Sequence, residues 1–170
     1  MGRKSIRSDK TIYQQAREEA GLTRAAASEL MDYVAESRIE KIESGKAYPQ
    51  PEDILAMSKA YKKPGLCNYY CSRECPIGQE FVPEVKMKDL SQIVLEVLSS
   101  LNKLSQEKER LIEISVDGQI TDDELEDFAR IRKEMSAISI TVDALQLWIN
   151  NTIASGQINK EKLDALSEKV

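Results

Sequence analysis

The sequence predicts an all-α protein, a string of short helices followed by a pair of long ones. Three observations carry this. Apolar residues recur at helical spacing in nearly every segment, and alternating β-branched runs are few. Gly21, Gly45, Pro49, Pro51, Pro64 and Gly65 punctuate the first part at intervals that suit helix ends. From about residue 84 the apolar pattern lengthens into heptads with few breakers.

The elements follow in order. KTIYQQAREEA, from about Lys10 to Ala20, makes a first helix that stops at Gly21, a residue suited to the left-handed conformation past a helix end. Thr23 then stands as an N-cap ahead of the alanine-rich RAAASELM. After the break DYVA, ESRIEKIES makes a third helix ending at Gly45. Pro49 and Pro51 mark the next turn, and EDILAMSKAY forms a fourth helix ending before Lys62-Lys63-Pro64-Gly65. Ile12, Ala16, Leu22, Ala27, Leu30, Met31, Ile39, Ile42, Ile54, Leu55, Met57, Ala60 and Tyr61 supply a small helical core.

The order Gly-Leu-Thr-Arg, an alanine-rich helix, a short turn, RIEKIESGK, a proline-containing loop and an apolar helix resembles the lambda repressor/Cro-type helix-turn-helix family, also called the xenobiotic-response-element family. Gly21, Leu22, Thr23, Ile39, Ile42, Glu43, Gly45, Lys46, Pro51, Leu55 and Ala60 carry the likeness, over about residues 9–64. Two departures stand out: Arg24 occupies the position where the family usually has glutamine, and the turn DYVAES is one residue longer than the common form. The resemblance implies double-stranded DNA as partner, with the third helix in the major groove.

On that third helix Ile39 and Ile42 share the inward face, which leaves Glu36, Ser37, Arg38, Glu40 and Lys41 for base edges and phosphates. Arg38 suits guanine by two parallel bonds, and a glutamate suits cytosine. Arg24, Lys46 and the helix start at Thr23 suit backbone phosphates. Glu43 is expected to be structural, tying helix to loop. Charge is unevenly placed: residues 1–65 carry 12 basic and 10 acidic side chains, residues 66–170 carry 12 and 19. A mildly basic head joined to an acidic tail fits a DNA-contacting module with an attached domain. The basic arm with Arg3, Lys4 and Arg7 reads first as a solvated terminus.

The expected organisation is a basic arm over 1–8, a helix-turn-helix DNA-binding domain over 9–66, a cysteine-containing connector or fifth helix over 67–83, and a helical dimerisation or effector domain over 84–170. In the last, Leu90, Val94, Val97, Leu101, Leu104 and Leu111 form one seam, interrupted at Lys108. A second helix, about Asp122 to Ala154, carries Leu125, Phe128, Met135, Ile138, Val142, Leu145 and Ile149. Apolar residues off both seams, among them Ile93, Leu98, Ile131 and Ile140, exceed what an antiparallel pair can bury, so a homodimer closing a helical bundle is expected.

The segment between these helices, EISVDGQITDDE, aligns with an EF-hand calcium loop if Glu113, Ser115, Asp117, Gln119, Thr121 and Glu124 are ligands, but glutamate then stands at the first position. The plainer reading is preferred: Asp117-Gly118 turns the chain and Thr121 to Glu124 is a capping box. Asn159 caps a short last helix in the same way.

All three cysteines, Cys67, Cys71 and Cys75, lie in GLCNYYCSRECPIG at four-residue spacing. Structural zinc wants four ligands, and the chain has no fourth cysteine and no histidine. With Leu66, Tyr69 and Tyr70 the stretch reads as a packed fifth helix, limited at Cys75 by Pro76, with metal or redox sensing as the alternative. Without histidine, a phosphate loop or a nucleophile motif, no catalysis and no cofactor are expected. No apolar run reaches the roughly 20 residues of a membrane span, and the cysteine pattern suits a reducing cytoplasm. The function expected is a sequence-specific, dimeric transcriptional regulator. A cysteine-based sensor and a protein-interaction adaptor that no longer binds DNA stand as alternatives.

Overall fold

The computed structural model describes residues 10–116 and 118–168. These form ten helices, with no strand among the described residues. The basic arm over 1–8 lies outside them, as does Asp117 of the loop between the long helices. The chain packs as two units, Met1–Glu84 with Ile149–Val170, and Val85–Trp148. The break after Glu84 falls where the sequence changes character, but the residues from Ile149 onward group with the head.

In the first unit, α1 spans Ile12–Glu19, α2 Arg24–Glu29, α3 Glu36–Glu43, α4 Pro51–Ala60, α5 Gly65–Arg73 and α6 Pro76–Phe81. Local chemistry sets most of the ends. Thr11 and Thr23 accept the amides of Gln14 and Ala26 at the starts of α1 and α2. Gly21 and Gly45 take positive φ just past α1 and α3, where a side chain would be strained. Pro51 opens α4, and Gln50 and Asp53 form its capping box. Lys62 ends that helix with φ +54 and no glycine to relieve it.

The head core gathers Ala27, Met31, Ile39, Ile42, Ile54, Met57 and Tyr61 as expected, and adds Tyr13, Val34 and Leu66. Leu30 and Leu55, also expected inside, are exposed. Leu66 brings α5 into the same core, with Cys67, Tyr69 and Tyr70 packed at its edge. The fifth helix is therefore part of the head. α6 was not legible as a helix. Cys75 caps it through its sulfur, which accepts the Gly78 amide at 3.5 Å, and Pro76 takes its first position. Gly78 lies so close to α5 that a Cβ there would stand 2.0 Å from the Cys71 carbonyl oxygen. Only glycine permits this approach.

In the second unit, α7 spans Leu90–Gln106 and α8 Lys108–Ser115, and α9, Leu125–Ala154, belongs to it as far as Trp148. Where one long helix was expected, the chain breaks at Glu107 into two, next to Lys108, the residue that interrupts the apolar seam. Three ion pairs set the register, Lys103–Glu134 at 3.8 Å, Glu107–Arg130 at 2.7 Å and Arg110–Asp127 at 2.6 Å. Steps of four and three along one helix meet equal backward steps along the other, so the two run antiparallel. The Glu124 carboxylate accepts the Thr121 amide at 3.1 Å and its hydroxyl at 2.8 Å, half of the expected capping box. α10, Lys160–Ser167, belongs to the first unit and is capped by Asn159, which accepts the Lys162 amide at 2.9 Å.

The buried seam of the long pair differs from the expected one. Ile93, Ser100 and Ile114 are buried, with Val97, Leu104 and Leu111 half-buried, while Leu90, Val94 and Leu101 are exposed. On α9 as far as Trp148 the buried positions are Ile131, Thr141, Ala144 and Leu147, while Leu125, Met135 and Val142 stay outside. The apolar arc of α7, from Ile93 round to Leu98, spans about 140°, wide enough that periodicity alone does not select which part of it faces α9.

Candidate nucleic-acid interface

The stretch from α2 to α4 is organised around a buried carboxylate. Glu43, at the end of α3, has no solvent-exposed side-chain surface. Its Oε1 accepts Arg17 Nε at 2.5 Å, and its Oε2 accepts Arg17 Nη2 at 3.0 Å and Arg24 Nε at 2.8 Å. Arg17 Nη1 also donates to the Leu22 carbonyl at 2.6 Å, closing the α1–α2 turn. Burial alone would lower the Arg17 pKa, but its bond to Glu43 and the charge there outweigh burial and raise it. Glu43 is structural, as expected, but what it ties α3 to is α1 and α2, not the following loop. Tyr61 lies beside this group with a buried hydroxyl that has no hydrogen-bond partner among the described residues. Burial, then the charge of Glu43, push its pKa well up, so it stays a neutral phenol.

The outward side of α3 carries Glu36, Ser37, Glu40 and Lys41, all exposed. Lys46 is exposed in the next turn, where its amide donates to the Lys41 carbonyl at 2.8 Å. Thr23 is exposed at the start of α2, its oxygen accepting the Ala26 amide at 3.1 Å. Arg24 is only half-exposed, because Glu43 holds it. Through that bond Arg24 stands next to the C-terminal end of α3.

Arg38 is placed differently from a free reader of base edges. Its Nε and Nη2 donate to Asp53 Oδ2 at 3.2 and 2.6 Å, and Nη2 also donates to the Tyr48 carbonyl at 2.9 Å. Asp53 already accepts the Gln50 amide at 2.8 Å, in the first turn of α4. A carboxylate there is favoured by the helix start, and it draws the nearest guanidinium to itself. Arg38 therefore clamps α3 to the Tyr48–Gln50 loop and to α4. Nothing in the spacing of RIEKIE with PQPED signals this pair, since it joins residues 15 apart through a loop.

Two aromatic side chains that sequence reasoning passed over flank this surface. Tyr33, in the α2–α3 turn, is exposed and donates its hydroxyl to the Glu52 carbonyl at 2.8 Å. Tyr48, in the loop that Arg38 clamps, is 88% exposed. The one sequence signal for either is position: each sits in a turn next to the expected third helix.

The cysteines belong to a different part of the head. All three are free and half-buried along α5 and its junction with α6. Burial, then the neighbouring Cys75 and Cys67, push the Cys71 thiol up, which disfavours the thiolate that metals and oxidants attack. No group of three or more Cys, Asp or Glu side chains is placed to hold a metal ion among the described residues. This covers the described part of the segment aligned with an EF-hand loop, where Glu124 bonds Thr121. Elsewhere on α5 Tyr69 stands edge-on to Tyr13 of α1, whose hydroxyl donates to Glu74 at 3.0 Å.

Among the described residues no helix is long and apolar enough to cross a membrane. A family described as a helix-turn-helix domain matches residues 14–65, which takes in most of α1, then α2 to α4 and the first residue of α5. No curated protein and no solved structure matches the chain. Residues 14–65 are thus a helix-turn-helix domain, a fold that implies DNA binding.

Proposed function

We propose that the chain is a sequence-specific DNA-binding transcriptional regulator of the lambda repressor/Cro type, without catalytic activity, that acts as a dimer through its long helices. The observation that carries the DNA reading is the division of labour on α3. Ile39, Ile42 and Glu43 are buried, and Glu36, Ser37, Glu40 and Lys41 are exposed on one rigidly held helix. Ser37, Glu40 and Lys41 read base edges, with Glu40 or Glu36 accepting from cytosine N4. Thr23, Arg24 and Lys46 meet backbone phosphates from α2 and the following turn. Arg38 holds the reading helix in register through Asp53, and only its remaining donor, Nη1, is left to reach the groove. That shifts its role from reader towards positioner.

Dimerisation is supported by the large apolar side chains that the second unit leaves exposed. Two recognition helices about one DNA turn apart, roughly 34 Å, would match an inverted repeat.

The test is fluorescence anisotropy of the full chain on duplex DNA across a salt series. Affinity falls along a straight log–log line whose slope counts phosphate contacts, and Lys46→Ala, which removes one contact from each protomer, lowers that slope by about two. Lys41→Ala and Ser37→Ala change the ranking of sequences more than the slope. A folded chain that binds no duplex at low salt overturns the proposal and leaves the head as a protein-interaction module.

A further inference from the structure

Charge is distributed unevenly along the second unit. Residues 90–102 of α7 contain one charged side chain, Glu96, and residues 135–148 of α9 contain one, Asp143. The antiparallel register set by Lys103–Glu134 lays these two stretches side by side at one end of the helix pair. At the other end, residues 103–116 hold six charged side chains and residues 121–134 hold nine, of both signs. There the ion pairs Glu107–Arg130 and Arg110–Asp127 already link the helices.

The charge-poor end is also where apolar surface is left uncovered. Leu90 is 39% exposed, Val94 43%, Leu98 53% and Leu101 48%. At steps of four, four and three these lie within about 80° of the α7 circumference, beside the arc of Ile93 and Ser100 that faces α9. On α9, Met135 and Val142 are seven residues apart and each 52% exposed. The apolar arc of α7 is wider than α9 covers, which leaves this stripe in solvent.

The chemistry of the patch fits a second copy of this chain. In a two-fold contact the same surface meets itself, so every charge inside it faces its own kind. This surface avoids that penalty. It is nearly bare of charge: the one glutamate in this stretch of α7, Glu96, lies more than about 100° around the helix from the stripe and is held by Lys88 at 2.6 Å. The charged end also exposes apolar side chains, Ile112, Val116, Ile120 and Leu125, but they stand among charges of both signs that a self-contact would set against their own kind.

We infer that two copies join through the charge-poor end of the α7–α9 pair, enclosing Leu90, Val94, Leu98 and Leu101 with Met135 and Val142 as the core of a four-helix bundle. The charged end stays in solvent. This rests on the dimeric reading above and assigns the contact to one end of the unit.

The experiment measures the mass of the full chain by sedimentation equilibrium without DNA, for the wild type, for Val94→Glu with Leu98→Glu, and for Ile112→Glu. Ile112 is 54% exposed but lies at the charged end. The wild type and the Ile112 variant are expected to be dimers at micromolar concentration, and the double variant a monomer with unchanged helix content. If the charged double variant fails to fold, Val94→Ala with Leu98→Ala replaces it and raises the dimer dissociation constant at least tenfold. A monomeric wild type overturns the inference and leaves the face to a different partner. So does a dimer that the double variant leaves intact, or one that Ile112→Glu breaks equally. A dimer that binds no DNA sinks the regulator reading but not this contact, so the two failures are distinguishable.

Discussion

Glu43→Gln keeps the size and shape of a side chain that solvent does not reach, but removes its charge. In the native head two oxygens accept three guanidinium bonds, two from Arg17 and one from Arg24. The amide keeps one acceptor and turns an N–H donor towards donors. At least one charge-assisted bond is lost, at about 1.5–3 kcal/mol, and two guanidinium charges are left without their counter-charge. Breaking a buried pair in this way costs about 3–5 kcal/mol. Arg24 has 34% of its side chain exposed and can turn to water, whereas Arg17, at 8%, cannot, so the lower end applies, about 3 kcal/mol. The assay is hydrogen exchange by mass spectrometry on the full chain, which reports the head and the long-helix unit separately. Peptides from α1 and α3 lose roughly 100-fold in protection, while peptides from α7 hold theirs. The triple replacement Arg17→Met, Arg24→Met, Glu43→Leu is neutral or stabilising by comparison, since it leaves no orphaned charge. Glu43→Gln with protection in α1 and α3 within about threefold of wild type would refute the reasoning and mean that the guanidiniums are solvated.

Lys62→Gly relieves a left-handed residue past α4 and stabilises the head by about 0.5–1 kcal/mol, read as a raised midpoint in urea; an unchanged or lowered midpoint counts against strain there. Gly78→Ala drives a methyl into the Cys71 carbonyl and destabilises by about 1–3 kcal/mol, with α6 losing exchange protection first. The Asp127 carboxyl is held below the usual carboxylate range by its bonds to Arg110 and then Arg130. A depressed folded pKa means stability that is present above the unfolded value, about 3.9, and lost as pH falls through the folded one. The helix pair therefore loosens in acid below that range by Trp148 fluorescence, and Asp127→Asn removes this part of the pH dependence.

What the sequence made legible was local. Thr23, Gly21, Gly45, Pro51 and Asn159 each set a helix end through atoms within a few residues, so their roles could be read without knowing the fold. α6 was hidden because it depends on Gly78 meeting Cys71 across a turn, a contact of α5 with α6 that no periodicity announces. The same limit applied to the interface. Exposure of Ser37, Glu40 and Lys41 follows from the inward spacing of Ile39 and Ile42, but the attachments of Arg38 to Asp53 and of Glu43 to Arg17 and Arg24 are made through space. On α7 the difficulty was surplus: Leu90, Ile93, Val94, Val97, Leu98 and Leu101 offer more than one apolar stripe, and only the ion-pair register with α9 selects between them.

The outward face of α3 as the reader of DNA sequence is tested most directly by selecting bound duplexes from a random pool with the full chain and with Glu40→Ala. The expected result is one enriched sequence made of two inverted half-sites about one turn apart, with the variant changing base preference at one symmetric position in each half. Contradiction would come from a folded wild type that enriches no sequence, or from a variant that selects the wild-type site unchanged.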